Sequence, residues 1–138
     1  MRLLIDANVL VDVLQKRIPH YEHSAQIWNL CANHTVEGMV SSLTFANIAY
    51  VMRKRLDADK MTKIVRMMKQ IFTFVDFTVN DMETAAYLQW KDYEDAIQAV
   101  TAQRVNADYI ITRNIKDFEN SPIPFITPLD FCKNAYWE

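Results

Sequence analysis

The chain has 138 residues, 51% of them apolar and 23% charged, with a formal net charge of −2. This is the length of a single domain, 1–138, able to bury roughly 68% of its unfolded surface, and its charge total advertises no nucleic-acid partner, so any such contact must come from a local patch. A single glycine, Gly38, excludes the glycine-rich phosphate loops of nucleotide-binding folds, and two distant cysteines, Cys31 and Cys132, exclude a disulfide scaffold and fit a reducing compartment.

The first predicted element is a strand over residues 2–6, apolar at Leu3, Leu4 and Ile5 and ending on Asp6. Asp6 and Asp12 interrupt the apolar stretch, so it does not read as a signal peptide. No uncharged apolar run elsewhere approaches the ~18 residues of a membrane span. The expectation is a cytoplasmic protein with no membrane contact. Asn8 is placed to cap a helix turning Val9, Leu10, Val13 and Leu14 inward, and Pro19 ends it. A second helix is predicted over 20–33, a short strand over 38–41, and a helix starting at Ser42 or Thr44.

Residues 57–70 read as a further helix, in which Met61, Ile64, Met68 and Ile71 step by three and four into one buried stripe. A strand over 72–77 follows, then a helix capped by Asn80. Residues 92–95, with Asp92 leading, resemble a capping box that opens a helix over 93–105. A strand over 107–112, a short strand at 125–126 and a closing helix with Pro128 at its first position complete the chain. Alternating strands and helices predict an α/β fold: a three-layer sandwich around a mostly parallel sheet of four to five strands.

In such a sheet, chemistry sits beyond the carboxyl ends of the strands. Asp6 ends the first strand, Glu94 and Asp95 lie in the first turn of a helix, and Asp117 follows Asn114 just past the fourth strand. If the first and fourth strands are neighbours, Asp6 and the 114–117 turn face one crevice. Each acid has an ordinary explanation by itself. Asp6 can be a turn former or cap, Glu94 and Asp95 suit a helix N-terminus, and Asp117 can be a surface acid. Joint placement is what points to chemistry. Two carboxylates ~4 Å apart repel by about 4 kcal/mol at an effective dielectric of 20. Raised pKa values or a divalent cation must offset that. An all-oxygen set without His or Cys favours Mg²⁺ or Mn²⁺, and such a site suits phosphodiester hydrolysis.

The ordered set Leu4-Ile5-Asp6-Ala7-Asn8-Val9-Leu10, then Asp95-Ala96, then Ile111-Thr112-Arg113-Asn114-Ile115-Lys116-Asp117-Phe118 resembles the PIN domain family, which includes VapC-type toxin ribonucleases. The segments 41–47 and 121–128 resemble a bacterial PIN subgroup. The resemblance covers essentially the whole chain. It implies that Asp6 is the first family acid, Asp95 the third, and Asp117 the fourth, since Asn114 stands where many members have Asp. It implies that Thr112 supports the site. Asn47 stands where members usually carry Glu as the second acid; it keeps an oxygen ligand and loses the charge, which implies weaker metal affinity. Glu94 is the nearby residue that would restore the charge. The resemblance also implies a homodimer and, for toxin members, an antitoxin partner. A haloacid-dehalogenase-like site fits worse, because Asn8 and Leu10 stand where it needs an Asp and a hydroxyl residue. A receiver-like site needs paired acids, and Asp6 is followed by Ala7.

Between residues 53 and 69 lie Arg53, Lys54, Arg55, Lys60, Lys63, Arg66 and Lys69, opposed only by Asp57 and Asp59. They form either a phosphate-contacting surface or a solvated helix face. Arg113 and Lys116 flank the acidic crevice and are better placed to steer RNA. His20 and His23 lack an identifiable third metal ligand. Trp28, Tyr50 and Trp90 read as core or dimer surface. The leading expectation is a Mg²⁺/Mn²⁺-dependent endoribonuclease acting on single-stranded RNA, with Asp6, Asp95 and Asp117 catalytic and metal-binding and Asn47 a weak ligand. Glu94, Thr112 and Asn114 support them, and Arg113 and Lys116 bind the nucleic acid. The alternative is a weakened or inactive PIN-like module that binds RNA or a protein. A DNA-directed nuclease ranks last, because no insertion is present to thread a DNA flap.

Overall fold

Leu3, Leu4 and Ile5 are all fully buried, as expected of a strand covered on both faces. The structure is a computed structural model that describes residues 1–118 and 120–134, with the side chain of Asp117 outside that description. Five strands form one sheet: β1 (Arg2–Ile5), β2 (Glu37–Ser41), β3 (Thr73–Val75), β4 (Tyr109–Ile111) and β5 (Phe125–Ile126). Their order is β3-β2-β1-β4-β5 and every pairing is parallel. The helices are α1 (Ala7–Leu14), α2 (Tyr21–Ala32), α3 (Ser42–Val51), α4 (Ala58–Ile71), α5 (Val79–Leu88), α6 (Tyr93–Arg104) and α7 (Pro128–Lys133). No helix among the described residues is long and apolar enough to cross a membrane.

The period of two along β1 divides the core. Leu3 and Ile5 join Leu10, Ile27, Met68 and Phe131, contributed by α1, α2, α4 and α7. Leu4 points to the other face and joins Met39, Ala99, Ala102, Ile110 and Phe118. A third cluster, with Ala85, Ala96 and Ile97, ties α5 to α6. The result is the expected three-layer sandwich. Trp28 packs edge-on against Phe72 and Trp90 against Phe118, whereas Tyr50 is exposed beneath the Arg53 guanidinium. Gly38 is required by close approach: a Cβ there would run into Cys31 Sγ and come within 2.9 Å of Phe72. Burial pushes the Cys31 thiol up to about 12, so it acts as a small apolar group.

Several boundaries differ from the sequence expectation. Asp6, not Asn8, caps α1, its carboxylate accepting from the Ala7 N–H. Thr78, not Asn80, caps α5, because Thr78 and Asp81 exchange side-chain and backbone hydrogen bonds in a capping box. β3 and β4 are shorter than predicted. In α4 only Met68 is fully buried, while Met61, Ile64 and Ile71 are half-covered; the helix lies at the rim of its layer. All seven basic residues between 53 and 69 are exposed.

The strand order reverses between β1 and β4, which opens a crevice at their carboxyl ends. Ile5 pairs with Ile111, and the Asp6 N–H extends the ladder to the Ile111 carbonyl at 2.9 Å. Asp6 and Thr112 therefore leave the sheet side by side.

Candidate metal centre

Asp6 is held by four donors. Its Oδ1 accepts from the Ala7 N–H at 2.8 Å and from Gln98 Nε2 at 3.1 Å. Its Oδ2 accepts from Thr112 Oγ1 at 2.8 Å and, more weakly, from Asn8 Nδ2 at 3.4 Å. The Thr112 hydroxyl is oriented in turn, because it accepts from the Asn114 N–H at 3.1 Å and so sends its hydrogen to Asp6. Asn8 closes the circuit by accepting from the Arg113 N–H. Neutral donors from α1, α6 and the residue after β4 thus hold both oxygens of the carboxylate.

Asp95 enters from the first turn of α6, where Asp92 caps the helix by accepting from the Asp95 N–H at 3.1 Å. Asp95 is buried, and Glu94 beside it is exposed. Asn47 comes from α3, which Ser41 starts by capping Leu43. Asp6, Asn47, Glu94, Asp95 and Gln98 line one cavity of about 40 Å³. Four of the residues singled out in the sequence, from three separate regions, thus line it together. Gln98 joins them without having been anticipated. It lies one helical turn after Asp95, and that spacing is the only signal the sequence offers.

The remaining expected residues lie around this cavity. Thr112 contacts Asp6 directly. Asn114 is exposed and supports the site through its backbone. The backbone of Asp117 belongs to a 3₁₀ turn, Ile115–Phe118; its side chain is outside the described residues. Lys116 is exposed and lines a groove of about 580 Å³ with Lys91, Trp90 and Asp92 at the start of α6. Arg113 does not reach toward the cavity: its guanidinium grips the fully buried Asp12. His20 and His23 line a separate cavity of about 240 Å³ beside Arg113 and Leu129.

Among the described residues, no three His, Cys, Asp or Glu side chains form a group that could hold a metal ion by themselves. The cavity adds amide oxygens to its carboxylates, and its donors are oxygen alone, the set that hard divalent cations take. Gln98 is 94% buried, yet its Oε1 has no hydrogen-bond partner among the described residues. A cavity lined by Asp6, Asn47, Glu94, Asp95 and Gln98 beside Ala7, Leu43 and Ile97 offers oxygen ligands that fit a small cation.

Comparison with known proteins places this geometry. A family model described as the PIN domain matches residues 2–116. A toxin-antitoxin complex from Klebsiella pneumoniae contains a chain 25% identical, superposing with a TM-score of 0.69 over 91% of this chain and 97% of that one. DNA-bound VapBC from Salmonella typhimurium (18% identity, TM-score 0.66, 93% and 98% covered) and FitAcB from Neisseria gonorrhoeae (18%, 0.64, 92% and 98%) share the fold. A comparison with curated proteins found no match.

Proposed function

Because this chain belongs to the PIN domain family, whose nucleases typically use divalent metal ions, we propose that it is a Mg²⁺- or Mn²⁺-dependent endoribonuclease acting on single-stranded RNA. The observation that carries the proposal is the convergence of Asp6, Asn47, Glu94 and Asp95 on one small cavity at the sheet's switch point. Asp6, Asp95 and Asp117 would hold the cation, with Asn47 as a neutral ligand. When bound, the cation supplies Lewis acidity, offsetting charge on the phosphoryl oxygens and making the attacking water more acidic.

The chain's own residues do the rest. Thr112, Asn8 and the Ala7 N–H fix the direction of the Asp6 carboxylate, so its oxygens need no reorganisation. The α6 cap fixes Asp95. Lys116 and Lys91 give the adjoining groove a positive wall suited to the phosphate backbone. The structurally similar chain from Klebsiella pneumoniae comes from a toxin-antitoxin complex, which supports an antitoxin as partner here. A homodimer belongs to the same proposal, with Val79, Met82, Tyr87 and Leu88 exposed along α5 as available apolar surface. So does a cytoplasmic setting, in keeping with two free thiols.

One observation favours a second reading, a non-catalytic binding module: four neutral donors already solvate the Asp6 carboxylate without an ion. Titration with Mn²⁺ separates the two. Melting temperature and cleavage of a mixed RNA pool are followed together, and a ligand at a hundred times its Kd stabilises by about 2.7 kcal/mol. The enzyme shows both stabilisation and cleavage, and loses both in Asp95→Asn. Stabilisation without cleavage, with RNA still retained, supports the binding module.

A further inference from the structure

Resting on the metal-site reading above, we infer that Gln98 is itself a ligand of the cation, through its side-chain carbonyl oxygen. Asp95 and Gln98 are three residues apart on α6, so they share a face, and both line the cavity with Asp6, Asn47 and Glu94. Gln98 is only 6% exposed. Its amide is half used: Nε2 donates to Asp6 Oδ1 at 3.1 Å, while Oε1 is buried without a hydrogen-bond partner among the described residues.

Turning the amide over does not relieve this. It would set Oε1 against the Asp6 carboxylate, two acceptors about 3 Å apart, so Asp6 fixes which end is oxygen. A buried acceptor left unsatisfied costs about 1–3 kcal/mol. Evolution of a buried glutamine next to three acids is explained when that oxygen has a positively charged partner. A cavity of about 40 Å³ has room for one small ion or one water, water's share of liquid volume being about 30 Å³. A single water has only two hydrogens, too few for the carboxylate and amide oxygens around it, whereas a divalent cation takes six or more oxygens. Gln98 and Asn47 would then supply two neutral oxygens to a centre whose charge comes from the aspartates.

The test measures Mn²⁺ binding to the full chain by calorimetry and by the rise in melting temperature, so activity is not the readout. Wild type should bind, and Asp95→Asn should lose binding; if either fails, the underlying metal-site reading falls and this inference with it. With both in place, Gln98→Leu should weaken Mn²⁺ at least tenfold while its metal-free melting temperature stays at or above that of wild type. Wild-type affinity in Gln98→Leu overturns the inference alone. Gln98→Glu decides independently, and serves if the leucine variant does not fold. It keeps the oxygen, adds charge and removes the N–H donated to Asp6. A ligand role predicts affinity equal to or tighter than wild type. A role confined to donating toward Asp6 predicts weaker binding, which overturns the inference.

Discussion

Arg113 grips Asp12 in a two-pronged ion pair, Nε to Oδ2 at 2.7 Å and Nη2 to Oδ1 at 3.1 Å. Asp12 is fully buried in α1, and Ser24 of α2 donates to it at 2.9 Å. The pair ties the turn after β4 to two helices. It also bears on the site: Arg113 carries the backbone N–H that orients Asn8, and Asn8 touches Asp6.

Removing one partner of a buried pair strands the other. Arg113→Met is expected to destabilise by about 3 kcal/mol, a fall in melting temperature of about 10 °C for a chain of this length. Arg113→Met with Asp12→Leu should recover most of the loss. Thermal denaturation of the three variants checks this. An Arg113 variant that weakens RNA binding at unchanged stability would return the residue to the nucleic-acid surface.

Asp81 gives a pH signature. Burial works to raise its carboxyl, but hydrogen bonds from Arg104 and Thr78 and the Arg104 charge together hold it below its ordinary 3.8. Arg104 Nε sits 2.9 Å from Asp81 Oδ1 and links α6 to α5. The folded-state value lies below the unfolded one, so the stabilisation is complete above the unfolded pKa and is lost as pH falls through the folded one. Asp81→Asn should therefore be less stable than wild type at pH 7, and the gap should close in strong acid. Urea melts from pH 7 downward measure it; a gap that persists unchanged in strong acid excludes the linkage.

Gly38→Ala should destabilise by at least 1–3 kcal/mol, the usual cost of overpacking, because the added methyl meets Cys31 Sγ and the Phe72 ring. Gly38→Ala with Cys31→Ala frees space on one side and should recover part of the loss. Urea denaturation midpoints decide it, and an unchanged midpoint for the single variant would mean that the β2–α2 packing yields freely.

The elements that stood out in the sequence are those governed by local pattern. Leu3-Leu4-Ile5 is buried on both faces and so reads as an unbroken apolar run ending on a carboxylate. Thr127-Pro128 carries its own start signal, and α7 begins there. What stayed hidden depends on distant partners. Asp12 and Arg113 are 101 residues apart in sequence, and nothing local shows that they meet. Gln98 sits in a helix whose residues 95–102 are all buried; a polar amide there looks like a surface residue until the fold closes around it. Asn80 is as good a cap as Thr78 by composition, and only the Thr78–Asp81 exchange decides between them.

Asn47 carries the sharpest prediction about the centre. It lines the cavity with Asp6, Glu94 and Asp95 and adds oxygen without charge. Asn47→Glu places a further carboxylate there, with opposite consequences in the two states. Without metal, the new charge repels its neighbours, by up to about 4 kcal/mol per close pair at an effective dielectric of 20, so melting temperature falls. With Mn²⁺ the same charge is attractive, and affinity should tighten at least tenfold, equivalent to about 1.4 kcal/mol. The melting curves of variant and wild type should therefore separate at zero Mn²⁺ and converge or cross as Mn²⁺ rises, with cleavage rising in parallel. Equal Mn²⁺ affinities for the two chains would place Asn47 beyond the cation's reach and leave Asp6, Asp95 and their neighbours on α6 to hold it.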